Sequence, residues 1–211
     1  MSDNKPNSYK GQPPLILIGP KGVGKSTVAR LLAHQLQLPH TSMDQHCWRY
    51  YVELPEINNY FQQVPNSPAP EALDVRSKRF LLEQVKANSP QFSKVKAKME
   101  LHATRRLLEE FPRGILDFGA GHSVFQHAED CQTLKTFLSG KAKIFLLLPS
   151  EDVKESMQVL ARNLNAQQRI FHDSHLAYYL NNPSNRYLAD EVILTRKKTP
   201  EQTATELISR L

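Results

Sequence analysis

The stretch LILIGPKGVGKST, residues 15–27, decides the fold of this chain of 211 residues. Its apolar beginning belongs to a short segment, Pro14 to Ile18, with the aliphatic composition of a strand buried on both faces. Gly19 to Ser26 then match the pattern G-x-x-x-x-G-K-[ST] in full. After this turn the apolar residues follow helical spacing, at Val28, Leu32 and Leu36. The stretch therefore predicts a strand, a glycine-rich turn and a helix in direct succession.

The glycine-rich turn has the composition of a phosphate cradle. Its glycines allow the backbone to curl, so that successive N–H groups point at phosphate oxygens, and the following helix adds positive potential at its N-terminus. In such a turn Lys25 reaches the β- and γ-phosphates and the Ser26 hydroxyl ligates Mg²⁺. The sequence predicts that ATP is bound by nine residues: Gly19, Pro20, Lys21, Gly22, Val23, Gly24, Lys25, Ser26 and Thr27.

The alternation of strand and helix continues along the chain. Three further segments have the composition of buried strands: Gly114 to Phe118, Lys143 to Leu148 and Glu191 to Thr195. A second strand is predicted to end near Asp44. Strands separated by helices imply right-handed crossovers and a mainly parallel sheet. We therefore expect a three-layer α/β/α sandwich around five strands.

Two helix starts can be read from capping residues. Ser150 is predicted as an N-cap that places Glu151 and Asp152 in the positive first turn. The second start combines a cap, a proline at the first helical position and a capping-box partner: Thr199, Pro200 and Gln202.

The segment 45–110 lacks strand signals and is predicted to be a helical insertion at the edge of the sheet. Val75 to Ala87 and Val95 to Glu110 show helical spacing, whereas Pro55 to Pro70 is rich in Pro and Asn and predicts a long surface loop. Residues 1–13 are polar and predict a disordered tail, so that the folded domain is expected to span residues 14–211.

Composition limits the class of protein. The chain is long enough for one domain, and 40% of its residues are hydrophobic, which is sufficient for a core. Its apolar runs are far shorter than the ~20 residues of a membrane helix. The two cysteines, Cys47 and Cys131, form no disulfide framework and fit a reducing compartment. We expect a cytoplasmic protein, a monomer or weak dimer, whose net charge of +6 favours an anionic partner.

The order of further motifs resembles that of the shikimate kinase family of small P-loop kinases. Thr41 to Asp44 stand where that family has Asp-x-Asp after strand two, and Gly119 to Gly121 stand where it has Gly-Gly-Gly after strand three. Leu188 to Asp190 is similar to the Ile-Ala-Asp that precedes its last strand. The resemblance implies a kinase domain in which the insertion binds the phosphoryl acceptor.

The resemblance also implies roles for individual residues. Arg162 matches the adenine-contacting arginine, Arg169 matches the arginine of the lid, and Pro200 lies near the residue that closes over adenine. For Arg162, covering its own helix is an equal alternative. The residues expected to bind the acceptor are Asp44, Gly119, Ala120 and Gly121. A plain strand-to-helix turn is the alternative for the two glycines.

Several positions depart from the family pattern. Ser42 replaces the first acid of Asp-x-Asp, and Ala120 replaces the middle glycine. The Phe-Arg-x-x-Glu that grips the acceptor carboxylate has no match, and the neighbouring charged residues are Lys96, Lys98 and Glu100. A second carboxylate-binding arginine aligns with Asn181. The nucleotide side of the pattern is retained, whereas the acceptor side is altered.

Two carboxylates are candidates for catalysis and metal binding. Asp44 is predicted to contact the acceptor hydroxyl and act as its base, with a surface turn as the alternative. Asp117 ends an apolar run as a Walker-B acid does, and is predicted to bind Mg²⁺ with Ser26; a helix cap or core edge is the alternative. The eight histidines, His122 among them, suggest no zinc site.

These observations predict a kinase that transfers the γ-phosphoryl group of ATP to a hydroxyl of a small metabolite, with Lys25, Asp44 and Arg169 as catalytic residues. The alternative is a degenerate ATP-binding protein that serves a regulatory or partner role. Aromatic residues after Asp44 either wall the acceptor pocket or belong to the core: Trp48, Tyr50 and Tyr51. Basic residues of the insertion favour a solvated helix face over nucleic-acid binding, since no nucleic-acid motif accompanies them.

Overall fold

A parallel sheet lies at the centre of the computed structural model, which describes residues 9, 11–64, 66–89, 91–163 and 173–211. Within these residues its strands are β1 (Leu15–Ile18), β2 (His40–Ser42), β3 (Ile115–Asp117), β4 (Lys143–Leu148) and β5 (Glu191–Leu194). They are ordered β2-β3-β1-β4-β5, and each pairing is parallel. The prediction of a mainly parallel five-stranded sheet is confirmed.

Helices connect the strands on both faces. The helix α1 (Lys25–Leu36) leads from β1 to β2. The segment between β2 and β3 contains α2 (Met43–Tyr51), α3 (Pro55–Phe61), α4 (Val75–Asn88) and α5 (Phe92–Glu110). The remaining helices are α6 (Ala128–Leu138), α7 (Val153–Asn163), α8 (Asp173–Asn181), α9 (Ser184–Leu188) and α10 (Pro200–Ser209).

The side chains of β1 alternate between two hydrophobic clusters, one on each face of the sheet. Ile16 and Ile18 belong to the cluster that includes residues of α2, α5 and α6. Leu15 and Leu17 belong to the cluster that includes residues of α1, α7 and α10. All four are at most 2% exposed, so β1 is covered on both faces and the three-layer prediction is confirmed.

The helices predicted within the insertion are confirmed as α4 and α5, but the surface loop predicted from Pro55 to Pro70 is wrong. Pro55 occupies the first turn of α3, whose Ile57 and Phe61 are buried. Pro70 likewise begins a short 3₁₀ helix. Prolines favour the first position of a helix because the N–H they lack has no intrahelical partner there.

The two predicted helix starts have different outcomes. Asp152, not Ser150, caps α7, because its Oδ1 accepts the hydrogen bond of the Glu155 backbone N–H at 2.7 Å. Ser150 Oγ accepts from the Asp152 N–H before the helix begins. The capping box between Thr199 and Gln202 is present, so the start of α10 is confirmed.

Tyr9 lies within the segment predicted as a disordered tail, yet it is buried. It packs in the cluster beside α1 and α10, and its hydroxyl donates to the Pro13 carbonyl at 3.0 Å. The tail prediction is therefore wrong at this residue.

Both cysteines are free, as predicted, and both are buried. In the described part of the chain, no helix has the length and apolar character needed to cross a membrane.

Candidate functional site

A cavity of about 670 Å³ lies beyond the carboxyl ends of β1 and β3. One wall is formed by the phosphate loop, defined as residues 19–27, through Lys21, Gly22, Gly24, Lys25, Ser26 and Thr27. The facing wall includes Asp44, Asp117 and the residues Gly119 to Gly121. Ligands of open parallel sheets bind at such an edge. The fold thus brings the predicted phosphate, metal and acceptor residues together.

The backbone of the phosphate loop requires glycine. Gly22 and Gly24 have φ values of 84° and 97°, in the left-handed region that side chains disfavour. Gly19 has a φ of 143°, and a Cβ there would lie 2.4 Å from the Leu147 carbonyl oxygen of β4. Gly19 and the buried Val23 therefore pack the loop against the sheet rather than line the cavity.

Lys25 is a buried cation at the floor of the cavity, 7% exposed. Its Nζ donates to the carbonyls of Gly19 at 2.8 Å and Pro20 at 3.0 Å. Burial lowers the pKa of Lys25 to about 8, although the charges of Asp117 and Asp44 act in the opposite direction. A phosphate anion in the cavity would favour the protonated amine, since opposite charge offsets the cost of burial.

Asp117 and Ser26 are suitable ligands for Mg²⁺. Asp117 ends β3 and is 2% exposed; its Oδ1 accepts from Ser42 Oγ at 2.8 Å and its Oδ2 pairs with His40 Nε2 at 2.9 Å. Carboxylate and hydroxyl oxygens are the ligand types that Mg²⁺ prefers, and each carboxylate oxygen retains a second lone pair. Ser42, which stands in place of the family's acid, therefore orients Asp117.

Asp44 lies in the first turn of α2, two residues beyond the end of β2, and not at the strand terminus as predicted. Its side chain is 67% exposed and lines the cavity. Its Oδ1 accepts a hydrogen bond from His122 Nε2 at 2.9 Å. This bond lowers the pKa of Asp44 against the opposing effect of partial desolvation by the cavity wall, and the charges of His122 and Lys25 lower it further.

The backbone of Gly119 lies directly beside the Asp44 carboxylate. A Cβ at Gly119 would lie 2.3 Å from Asp44 Oδ1 and 2.7 Å from Oδ2. At Gly121 the nearest atom to such a Cβ is Tyr179 Oη, at 3.9 Å. The group that lies against Gly119 is thus the carboxylate of Asp44, and the binding of an acceptor by Gly119 and Gly121 stays a prediction.

Two buried residues behind Asp44, His122 and Glu100, were missed as site residues. His122 is 7% exposed and lies with Nδ1 2.6 Å from Glu100 Oε2, which also accepts from the Tyr51 hydroxyl at 2.9 Å. Glu100 is 5% exposed. His122 directly follows Gly121, and this adjacency to a predicted site residue is the signal in the sequence that could have identified it. The spacing from Asp44 to Glu100 follows no pattern that could have identified Glu100.

The aromatic residues after Asp44 are core residues rather than cavity walls. Trp48, Tyr50 and Tyr51 are buried in the cluster of α2 and α5. The Tyr50 hydroxyl donates to Glu110 at 2.8 Å. Of the three, Tyr51 is tied to the site, through its hydrogen bond to Glu100.

The residues predicted to contact adenine are not part of the cavity wall. Arg162 is exposed near the end of α7, and Pro200 is exposed at the start of α10. The neighbouring Asn163 donates from Nδ2 to the Gly22 carbonyl at 3.0 Å, which brings the end of α7 to the phosphate loop. Arg169 lies outside the described residues, and its role stays a prediction.

The basic residues of α5 pair or pack with other residues of the protein. Lys94 lies 3.5 Å from Glu129, Lys98 pairs with Glu56, and Arg106 donates to Glu53 at 2.8 Å. Lys96 Nζ donates to the Gly121 and Val124 carbonyls, and the Arg105 guanidinium lies over Phe137. The sequence favoured a solvated helix face for these residues, whereas the structure pairs or packs them within the protein; the absence of nucleic-acid binding stays a prediction.

The chain matches one protein-family model over part of its length and is similar to several solved structures. Residues 15–71 match the family model described as "ATPase family associated with various cellular activities (AAA)". The structure is similar to shikimate kinase from Acinetobacter baumannii in complex with shikimate, with a TM-score of 0.54 and 17% identity over 96% of this chain and 94% of that one. Shikimate kinase from Aquifex aeolicus is also similar, with a TM-score of 0.50 and 17% identity over 93% and 94% of the two chains.

No curated protein matches the chain. At this level of identity the likeness defines the fold. The chain has the α/β fold of these two shikimate kinases, and its glycine-rich loop lies within the part that matches the ATPase family model.

Proposed function

We propose that the protein is an ATP-dependent kinase that transfers the γ-phosphoryl group to a hydroxyl of a small metabolite. The observation that carries this proposal is the shared cavity, in which the phosphate loop faces the Asp44 carboxylate. A carboxylate opposite a triphosphate site is suited to orient a hydroxyl toward the γ-phosphorus.

In the proposed reaction the acceptor oxygen bonds to the γ-phosphorus while the bond from that phosphorus to the bridging oxygen of ADP breaks. The hydroxyl proton leaves late, to Asp44 and then to solvent. Lys25 balances negative charge on the phosphates, and Mg²⁺ held by Ser26 and Asp117 supplies further charge neutralisation when bound. Because the pKa of Asp44 is lowered, its main task is to accept a hydrogen bond rather than to act as a strong base.

The proposed acceptor is a hydroxylated metabolite other than shikimate. The cationic residues described in the cavity wall are Lys21 and Lys25, both from the phosphate loop. Asn181, at the position of a carboxylate-binding arginine, donates to its own helix at the Ala177 carbonyl. The nearby Arg186 pairs with Glu151. The described residues thus offer no arginine for an acceptor carboxylate.

A coupled ADP-release assay across hydroxy acids, sugar acids and nucleosides tests the proposal. We expect one class of acceptor to raise ADP release with the wild-type protein. Lys25→Ala serves as the blank and should abolish turnover, because the cation at the phosphates is lost. Asp44→Asn should bind Mg·ATP as tightly as the wild type in calorimetry and lose about 10²-fold or more in transfer.

Two outcomes would count against the kinase. Equal turnover in Asp44→Asn would remove this residue from the mechanism. Tight binding of Mg·ATP with no acceptor raising ADP release would favour the alternative, a nucleotide-binding partner protein.

A further inference from the structure

Asp44 is the outer end of a line of three charged side chains that runs into the core. His122 lies between the two carboxylates, with Nε2 2.9 Å from Asp44 Oδ1 and Nδ1 2.6 Å from Glu100 Oε2. The three residues come from α2, from the loop after β3 and from α5. This chain of contacts does not follow from the phosphate-binding role of the cavity.

The geometry favours a charged His122 ring. A carboxylate oxygen lies beside each ring nitrogen, and a ring that donates from both nitrogens is an imidazolium. Burial alone would lower the pKa of His122, but the charge of Glu100 and the hydrogen bonds with Asp44 and Glu100 raise it well above the ordinary value, and the nearby Cys47 thiol acts in the same direction. The other ionisable groups that face the ring are Tyr51 of α2 and Tyr179 of α8.

Glu100 is the anchor of this line. Burial of a lone carboxylate is costly, and here burial would raise the pKa of Glu100; the imidazolium charge and its hydrogen bond instead hold that pKa below its usual value. The Tyr51 hydroxyl donates to the same Oε2. One helical turn earlier on α5, Lys96 donates to the Gly121 and Val124 carbonyls on either side of His122. The helix α5 thus holds both the ring and its loop.

The orientation of the Asp44 carboxylate is restricted by two neighbours. His122 donates to Oδ1, and the backbone of Gly119 lies so close that a Cβ would collide with both oxygens. The carboxylate nevertheless remains open to the cavity. Two neighbours therefore restrict the orientation of a side chain that would otherwise rotate freely on the surface.

We propose that His122, anchored by Glu100, is a positioning residue that holds Asp44 ionised and oriented for the acceptor hydroxyl. This inference rests on the proposed kinase function. His122 occupies Oδ1 and leaves Oδ2 to accept the hydrogen bond of the substrate. The insertion thereby acts on catalysis through α5, without α5 itself contacting the substrate.

Carbon-13 detected titration of the Asp44 carboxyl group tests the inference without any turnover. The wild-type carboxyl group should titrate below the usual range for aspartate, and His122→Gln should raise its pKa toward the ordinary value, because the hydrogen bond of His122 is the main cause of the shift. Nitrogen-15 histidine spectra should show both His122 nitrogens protonated at pH 7.5. Glu100→Gln should lower the pH at which this signal is lost.

The matched control is His127→Gln, an exposed histidine that begins α6 and contacts Ser93. It should leave the Asp44 titration unchanged. With an acceptor from the screen, His122→Gln should lower kcat about 10²-fold while the Kd for Mg·ATP stays within about twofold. Should His122→Gln fold poorly, Tyr51→Phe removes only the hydroxyl and should produce a smaller change of the same sign.

An unchanged Asp44 titration in His122→Gln, or a neutral His122 ring at pH 7.5, would overturn the inference. Equal losses of kcat and of Mg·ATP affinity would also overturn it, since they indicate a purely structural role. If no acceptor is phosphorylated, the proposed function fails, and the two titrations still decide whether His122 positions Asp44.

Discussion

The two walls of the cavity are built in different ways. The phosphate wall is one continuous piece of chain, residues 19–27, whose shape depends on backbone conformation at Gly19, Gly22 and Gly24. The acceptor wall depends on side chains from separate segments, joined by hydrogen bonds through His122. The comparison teaches that the phosphate loop can be recognised from one continuous motif, whereas the facing wall can be changed by substitutions far apart in the sequence.

The largest effect is expected for Gly19→Ala, which tests the backbone wall. The new Cβ would meet the Leu147 carbonyl oxygen at 2.4 Å, and the φ of 143° is unfavourable for alanine. A rigid strand backbone cannot move aside as a flexible side chain can. We expect a loss of about 3 kcal/mol in the free energy of unfolding, measured by urea denaturation.

The control for that experiment is Gly24→Ala, which has a φ of 97° but no atom within 4 Å of the new Cβ. It should cost only about 1–2 kcal/mol, the conformational penalty alone. Similar losses in the two variants would show that contact with β4 does not shape the phosphate wall.

Gly119→Ala tests the side-chain wall. Its Cβ would displace the Asp44 carboxylate, the flexible end of a side chain, so stability should change little. The misplaced carboxylate should lower the transfer rate about 10²-fold with unchanged affinity for Mg·ATP, as measured by coupled assay and calorimetry.

Gly121→Ala is the matched substitution in the same loop, where the new Cβ has open space. It should reduce transfer far less than Gly119→Ala. If both variants lose the same activity, the glycines serve the substrate directly and the close approach to Asp44 is incidental.

The smallest effect concerns pH and the phosphate wall. Since burial lowers the pKa of Lys25 to about 8, the amine is mostly charged at pH 7 and mostly neutral at pH 9. The charged form attracts phosphate, so the Kd for Mg·ATP should rise up to about tenfold across this range. Calorimetry in buffers of different ionisation enthalpy should show proton uptake on binding at pH 8.5. A flat profile with no proton uptake would contradict a lowered pKa for Lys25.

The fold was predicted where local signals suffice. Lys143 to Leu148 is a strand with the predicted bounds, and the capping box at Thr199 begins α10 as expected. The errors arose where one residue type serves two local structures. Pro55 fits a loop or the first turn of a helix, and the burial of Ile57 in the core decided between them. At Ser150 two adjacent oxygen-bearing side chains competed for the cap.

The candidate site was predicted only in part for the same reason. Lys25, Ser26, Asp44 and Asp117 line one cavity, and the roles assigned to them stay predictions. His122 and Glu100 were not, because their contacts join residues 22 and 78 positions apart and follow no sequence pattern. The sequence identified Glu100 only as a charged residue near the expected position of Phe-Arg-x-x-Glu, a motif that this chain lacks.

By itself the sequence determined the strand, phosphate loop and helix at residues 15–36, because the glycine motif and the helical spacing are local signals; the close fit of Gly19 against the Leu147 carbonyl of β4 is a tertiary contact. Tertiary structure alone decided that α5 packs beside the loop after β3 and that Asp44, His122 and Glu100 meet in a line. These contacts depend on the packing of the core. Core packing brings α2, α5 and the loop after β3 together and places their charged side chains within hydrogen-bond distance of one another. The phosphate loop can therefore be recognised from a short motif, whereas the arrangement of Asp44, His122 and Glu100 can be recognised only in the folded molecule.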